Sequence, residues 1–264
     1  VTRVLVTNDD GIDAPGIAAL ARAAVDAGLD VVVAAPAVQS SGASAAITAE
    51  REEGRTPVRE VTVDGLDGVP AFAVSAQPAH IVLAAVVGWL DPVPDLVLSG
   101  INHGANTGRV VLHSGTVGAA LTAGVHGVRA LAVSLDVALH PDGSGGRHWD
   151  SATALLPEVL ALLADLPEGT VLSLNAPDRP PSECGPLRHA ALAPFGAVQT
   201  RVDSAASDHW QLQEVEGDGT PDPGTDTALL AAGHPTLTAL SPVGEDAGVG
   251  LADRLGGNGD DGQR

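Results

Sequence analysis

Two kinds of apolar pattern alternate along this chain. Short segments rich in Val, Leu and Ala at residues 1–7, 30–35, 95–98, 129–135 and 170–174 read as buried strands. Between them, apolar positions recur at helical spacing at 15–28, 78–90, 114–125 and 150–166. Pro15 suits a first helical turn, and Pro36 stops the second strand. Strand–helix–strand alternation implies crossover connections and a parallel sheet. The region 47–75 interrupts it with two short antiparallel strands, 61–63 and 71–74, joined by Asp-Gly turns. The expected fold is α/β, a doubly wound, mostly parallel sheet in three α/β/α layers, with its core over 1–177. Residues 178–223, rich in Pro, Gly and Asp with strand-like fragments, read as an extended arm or hairpin. Residues 224–243 return to the core through a short helix (227–232) and a last strand (235–240). The Gly- and Asp-rich tail 244–264 is expected to be partly disordered.

Three strand ends carry polar loops: Asn8-Asp9-Asp10, Ser40-Ser41-Gly42 and Ser99-Gly100-Ile101-Asn102. In a parallel sheet these ends share one edge, where open α/β sheets bind ligands. Adjacent carboxylates repel unless a proton or cation lies between them. Asp9 and Asp10 with a hydroxyl and an amide oxygen form a hard-oxygen set suited to Mg²⁺ or Mn²⁺. Ser114-Gly115-Thr116 opens an apolar helix, whose free N–H groups and dipole favour an anion. A cation beside a phosphate cradle points to metal-assisted phosphoester hydrolysis. Each piece has a plainer reading: Asn8–Gly11 as a turn, Ser114 as an N-cap.

Composition narrows the choice. Lys+Arg is 13 against Asp+Glu 33, a formal charge of −20, so the general surface should repel nucleic-acid polymers and anionic membranes. The sequence contains no lysine, which excludes a P-loop, a Schiff-base enzyme and a phospho-receiver domain. Aromatic residues are only 2%, which speaks against base-stacking surfaces for single-stranded nucleic acid. The turn after the first strand lacks Gly-x-Gly-x-x-Gly, which argues against a dinucleotide-dependent oxidoreductase. A lone Cys184 forms no intrachain disulfide, and no apolar run reaches membrane-spanning length. The chain reads as soluble and cytoplasmic.

Asn8-Asp9-Asp10-Gly11-Ile12-Asp13-Ala14-Pro15-Gly16 resembles the N-terminal signature of the SurE family of survival-protein nucleotidases. The likeness continues through Ser41–Ser44, Ser99–Asn102, Gly104, Asn106, Gly108, Ser114–Val117, Asn175-Ala176-Pro177-Asp178 and Gly224-Thr225-Asp226, in order over about residues 1–242. It implies a Rossmann-like, cytoplasmic, divalent-metal-dependent phosphatase of nucleoside monophosphates that assembles as homodimers or homotetramers through its arm. It also implies one Mg²⁺ or Mn²⁺ per subunit on Asp9, Asp10, Ser41 and Asn102, with Asp9 and Asp10 catalytic. Asn8, Gly42, Asn106, Ser114, Gly115 and Thr116 would surround the phosphate. The chain departs from the family where an Asp and an aromatic usually precede Ser-Gly-Thr, since Arg109-Val110-Val111-Leu112-His113 has neither. It departs again at Ala76–His80. Arg109, His113 and His80 are therefore candidates for an altered pocket. The alternative they support is a non-catalytic or altered-specificity nucleotide-binding protein of the same fold.

Overall fold

In the computed structural model the described residues are 1–137, 146–196, 198–205, 210–216 and 221–244. A nine-stranded sheet runs in the order β3-β4-β2-β1-β5-β6-β7-β11-β8. Near its middle, β1 (Arg3–Thr7) is flanked in parallel by β2 (Asp30–Pro36) and β5 (Leu96–His103). Next to β5 lie β6 (Arg129–Asp136) and β7 (Val171–Pro177), also parallel. On the other side of β2 comes β4 (Ala71–Val74), parallel to it, with β3 (Val58–Val61) antiparallel at the edge. The far edge is closed by β11 (Thr236–Leu240), antiparallel to β7, and by the short β8 (Arg188–His189).

The alternation of side chains along each strand fills two cores. Val4 and Val6 of β1, Val31 and Val33 of β2, and Leu96 and Leu98 of β5 face one side. There they meet Ile17 and Leu20 of α1 (Pro15–Asp26), Ala152 of α4 (Asp150–Thr153), and Leu156, Val159 and Leu163 of α5 (Leu156–Ala164). Leu5, Val32 and Val97 face the other side. Their partners are Ile81 and Val82 of α2 (Pro78–Ala84) and Val117, Ala120 and Ala123 of α3 (Gly115–Val125). This is the expected three-layer, Rossmann-like α/β arrangement. The chain leaves β1 toward β2 on one side and reaches β5 on the other, so the topological switch point lies between β1 and β5, where such sheets bind ligands.

Several elements differ in extent from their sequence signal. β5 does not stop at Leu98. It shifts register between Ser99 and Asn102, and Asn102 and His103 then pair with Ser134 and Leu135. Ser99–Asn102 is thus strand, because β6 continues alongside to receive it. The helix expected over 150–166 is two helices, with Pro157 in the first turn of the second. The helix from Pro78 passes into a wider turn, Ala85–Trp89, which ends at Gly88 with φ 108°. The strand expected at 61–63 is instead Val58–Val61, since pairing with β4 runs from Val58↔Val74 to Val61↔Ala71.

In the 178–223 region, β8 joins the main sheet, and Ala190 and Ala193 beyond it are buried. β9 (Val198–Ala205) and β10 (Trp210–Glu216) form a separate two-stranded antiparallel sheet. α6 (Asp226–Ala231), capped by the Thr225 side chain, leads back to β11. Of the tail expected to be partly disordered, all beyond Gly244 lies outside the described residues. No helix among the described residues is long and apolar enough to cross a membrane.

Candidate active site

The turn after β1 is shaped by Asn8, whose side chain is fully buried. Its Nδ2 donates to the Gly11 carbonyl at 2.9 Å, and its Oδ1 accepts the Gly11 N–H at 3.1 Å. Asn8 is thereby committed to the turn, and it turns the next two residues outward. Asp9 and Asp10 both line a cavity of about 490 Å³ at the switch point. Ser41 and Gly42 enter it from the loop after β2, and Asn102 from the end of β5. The Ser40 N–H, bonded at 2.8 Å to the Asp9 carbonyl, brings the serine loop to the β1 end. Asn106 and Ser114 complete the expected residues along the wall.

The two aspartates sit in different surroundings. Asp9 is 5% exposed, and its Oδ1 accepts a hydrogen bond from the Thr116 hydroxyl at 2.5 Å. Burial pushes its carboxyl above the ordinary 3.8, with the charge of Asp10 adding to that and the Thr116 hydroxyl opposing it. Asp10 is less enclosed. Its Oδ2 accepts the His103 N–H at 3.0 Å, and the Gln39 Nε2 approaches its Oδ1 at 3.4 Å. The same Gln39 nitrogen donates to Ser41 Oγ at 2.9 Å, which ties the serine to the acidic pair. Asn102 Nδ2 donates to the Gly104 carbonyl at 2.8 Å, so Oδ1 is the atom it has to offer a ligand.

Gly115 and Thr116 do not line the cavity. Both are buried at the N-terminus of α3, directly behind Asp9. The first turn of that helix acts on the Asp9 carboxylate, a position its dipole favours. Ser114 caps the helix by accepting the Val117 N–H at 3.1 Å. Asn106 is held by its backbone, whose N–H and carbonyl bond the Asn175 side chain at 2.8 and 2.9 Å. Its Nδ2 meets Ser134 Oγ at 2.9 Å. Buried Asp226 accepts the Gly108 N–H at 2.7 Å and the Ala193 N–H at 2.9 Å, which fixes the loop before α3 to the far side of the sheet.

Among the residues that depart from the family pattern, Val110 and His113 line the cavity. His80 lies elsewhere, in an apolar hollow beside Val58 and Trp89 with its Nδ1 on the Ile47 carbonyl at 2.9 Å. Arg109 is exposed outside the cavity, its N–H bonded to the Ala193 carbonyl at 3.0 Å. The cavity also takes in Gln39, His103 and Trp149, which sequence reasoning did not select. Gln39 and His103 adjoin selected residues and were within reach of the same argument, whereas Trp149 follows a different strand and carried no local signal.

Among the described residues no cluster of three or more His, Cys, Asp or Glu is poised for a metal. A cation here would depend on two carboxylates completed by hydroxyl and amide oxygens. Hard Mg²⁺ or Mn²⁺ accepts such a set, whereas zinc prefers sulfur and nitrogen. The donor set therefore fits the ion that the family resemblance implies.

Comparison with known proteins agrees with this fold. The family model described as survival protein SurE matches residues 4–196. A protein named 5'-nucleotidase SurE from Solidesulfovibrio magneticus is 40% identical, over 96% of this chain and 98% of its own. Another of that name from Synechococcus sp. RCC307 is 36% identical over 91% of this chain and 88% of its own. The crystal structure of the SurE protein from Aquifex aeolicus superposes with a TM-score of 0.77 at 25% identity, over 96% of this chain and 98% of that one. With its fold and most of its length matched in this way, the chain belongs to the SurE family.

Proposed function

We propose that this protein is a metal-dependent 5'-nucleotidase that hydrolyses nucleoside monophosphates to nucleoside and phosphate. The observation that carries the reading is the convergence of Asp9, Asp10, Ser41, Asn102, Asn106 and Ser114 on one cavity from three strand ends and a helix cap. Relatives named 5'-nucleotidase favour turnover over the non-catalytic alternative. Asp9, Asp10, Ser41 and Asn102 would hold one Mg²⁺ or Mn²⁺ per subunit. Such an ion, when bound, polarises a phosphoryl oxygen and lowers the pKa of its water.

The chain's own residues supply the positioning. Gln39 holds Ser41 and Asp10 in one cluster, and the His103 N–H fixes the second Asp10 oxygen. Thr116 and the α3 N-terminus hold Asp9 in place and stabilise its negative charge. Asn106 and Ser114 face the phosphate. The Ser134 hydroxyl both donates and accepts, so Asn106 can turn its NH₂ toward an anion while Ser134 donates to Oδ1. Gly42, at the cavity wall with φ 74°, presents backbone without a side chain in the way.

We assign the β9–β10 hairpin to contacts between copies in a homodimer or homotetramer, and we place the protein in the cytoplasm. The hairpin's separation from the main sheet supports the first assignment. The test of function is phosphate release from a panel of 5'- and 3'-mononucleotides with Mn²⁺, with Mg²⁺ and with chelator. Release from nucleoside 5'-monophosphates that stops on chelation is expected. Absence of release from folded protein with either metal would overturn the reading.

A further inference from the structure

The chain has three Trp, two Phe and no Tyr, so a tryptophan in the cavity wall is a scarce resource placed at the site. Trp89 packs edge-on against Phe72 at 5.8 Å, well away from the cavity. Trp149 is different. It is half-buried, lines the cavity, and stands with its ring centroid 6.5 Å from that of His103, the planes tilted by 55°. The indole Cζ3 lies close to α1. A Cβ at Gly16 would come within 3.2 Å of the Trp149 Cζ3 and 2.1 Å of the Ile101 carbonyl, so glycine there is what lets the indole and β5 close on the helix.

This aromatic corner is braced from behind. Asp178 accepts the His148 N–H at 2.7 Å and pairs with Arg147 at 3.2 Å, which pins the segment that carries Trp149. Arg147 Nε also donates to His103 Nε2 at 3.2 Å and so orients the imidazole. Within the Asn175–Asp178 stretch, Asn175 holds the Asn106 backbone, whereas Asp178, its last residue, acts on the outer wall. His103 joins the two ends of the cavity, with its backbone N–H on Asp10 and its ring against Trp149.

We infer that Trp149, seated against His103, is the platform on which the nucleobase of the substrate stacks, making it a specificity-determining residue with a preference for purines. The inference rests on the nucleotidase reading for its substrate class. Stacking on an aromatic face is tolerant of base identity because every base has a π-face, and the larger purine face gains more. The platform therefore gives affinity for nucleotides over phosphate esters that lack a base.

The test compares Trp149→Ala and Trp149→Phe with the unaltered protein on AMP, CMP and ribose 5-phosphate in Mn²⁺. Trp149→Ala is expected to raise KM for AMP roughly tenfold, and that for CMP less, while kcat stays near its original value. KM for ribose 5-phosphate should not move, and Trp149→Phe should recover most of the AMP loss. An equal rise for AMP and ribose 5-phosphate, or no rise for AMP, overturns the platform. A second readout needs no turnover: in the Trp89→Phe/Trp210→Phe protein, adenosine should quench the remaining indole fluorescence saturably. Absence of that quenching overturns the platform as well. Failure to hydrolyse any phosphate ester with quenching intact would instead sink the nucleotidase reading and leave the base site standing.

Discussion

The inner and outer ends of the cavity are built on different principles. At the inner end, Asp9 is 5% exposed and Thr116 fully buried, and the Asp9 carboxylate is set by the end of β1 and the N-terminus of α3. At the outer end, Val110 is 41% exposed, His103 and His113 are exposed, and Trp149 is half-buried. Of these, His103 ends β5, Val110 and His113 lie in a short 3-10 turn (Arg109–His113), and Trp149 caps a short helix whose approach is braced by the Arg147–Asp178 pair. A site that binds an ion and a phosphate needs fixed charge in a low-dielectric place, which the sheet edge provides. A site that receives the variable part of a substrate needs area and access, which side chains on the rim provide. Substitutions at the inner end should therefore change turnover, and those at the outer end should change KM.

The largest effect is expected for Asp9→Asn. The side chain keeps its shape, and the amide oxygen still accepts from Thr116, so the melting temperature should change little. Loss of the charge should lower kcat by about two to three orders of magnitude at saturating Mn²⁺, the scale seen when one preorganised electrostatic group is removed. Near-normal kcat would remove Asp9 from the chemistry and with it the contrast between the two ends.

Next comes Gly115→Ala, which changes no charge. A Cβ there would lie 2.8 Å from both the Asp9 Cβ and Oδ2, so the carboxylate must move. Displacement on this scale should cost about ten- to a hundredfold in kcat. Overpacking of the buried helix start should also cost about 1–3 kcal/mol, visible in a denaturant titration. If stability falls and kcat does not, Asp9 needs its charge but not its exact placement, and the claim that geometry is fixed at the inner end is wrong.

The inner end was legible in the sequence because its parts are local. Apolar runs ending in Asn8-Asp9-Asp10, Ser41 and Asn102 imply strand ends, and parallel strands put their ends on one edge. Ser114 as an N-cap could be read from its place before an apolar helix. Packing gives further roles to three of these residues. Gly115 and Thr116, a cradle for phosphate by sequence, pack against Asp9, because which neighbour a helix start meets depends on packing across the sheet. Asn8 reads as a site residue by its company, and its amide closes the turn that presents Asp9 and Asp10.

The outer end was scarcely legible. Trp149 lies far along the chain from Asp10, and only the parallel run of β5, β6 and β7 brings its segment beside His103. Asp226 and Asn175 stood out in the sequence, but their work of fixing the Gly108 and Asn106 backbones is set by contacts over more than sixty residues of chain. The full extent of β5 depends on a similarly distant contact. A glycine-rich segment looks like a loop, and it becomes strand only when β6 offers Ser134 and Leu135 for pairing.

His113→Ala is the smallest expected effect and the sharpest check on the outer end. His113 directly precedes Ser114-Gly115-Thr116 and lines the cavity, so its ring is an obvious suspect for chemistry. The structure argues otherwise. Its backbone carbonyl accepts the Ser44 N–H at 3.2 Å, a bond that alanine keeps, while the ring is exposed and has no hydrogen-bond partner among the described residues. Exposed substitutions of this kind shift stability by less than about 0.5 kcal/mol. A comparable change in binding is about twofold in KM, with kcat unchanged. Measured on AMP and on ribose 5-phosphate, the small KM change should be similar for both, because His113 lies beside the Ser114 cap and not in the Trp149–His103 corner. A drop in kcat of tenfold or more would make the ring part of the chemistry, and the division of labour along the cavity would have to be redrawn with His113 on its inner side.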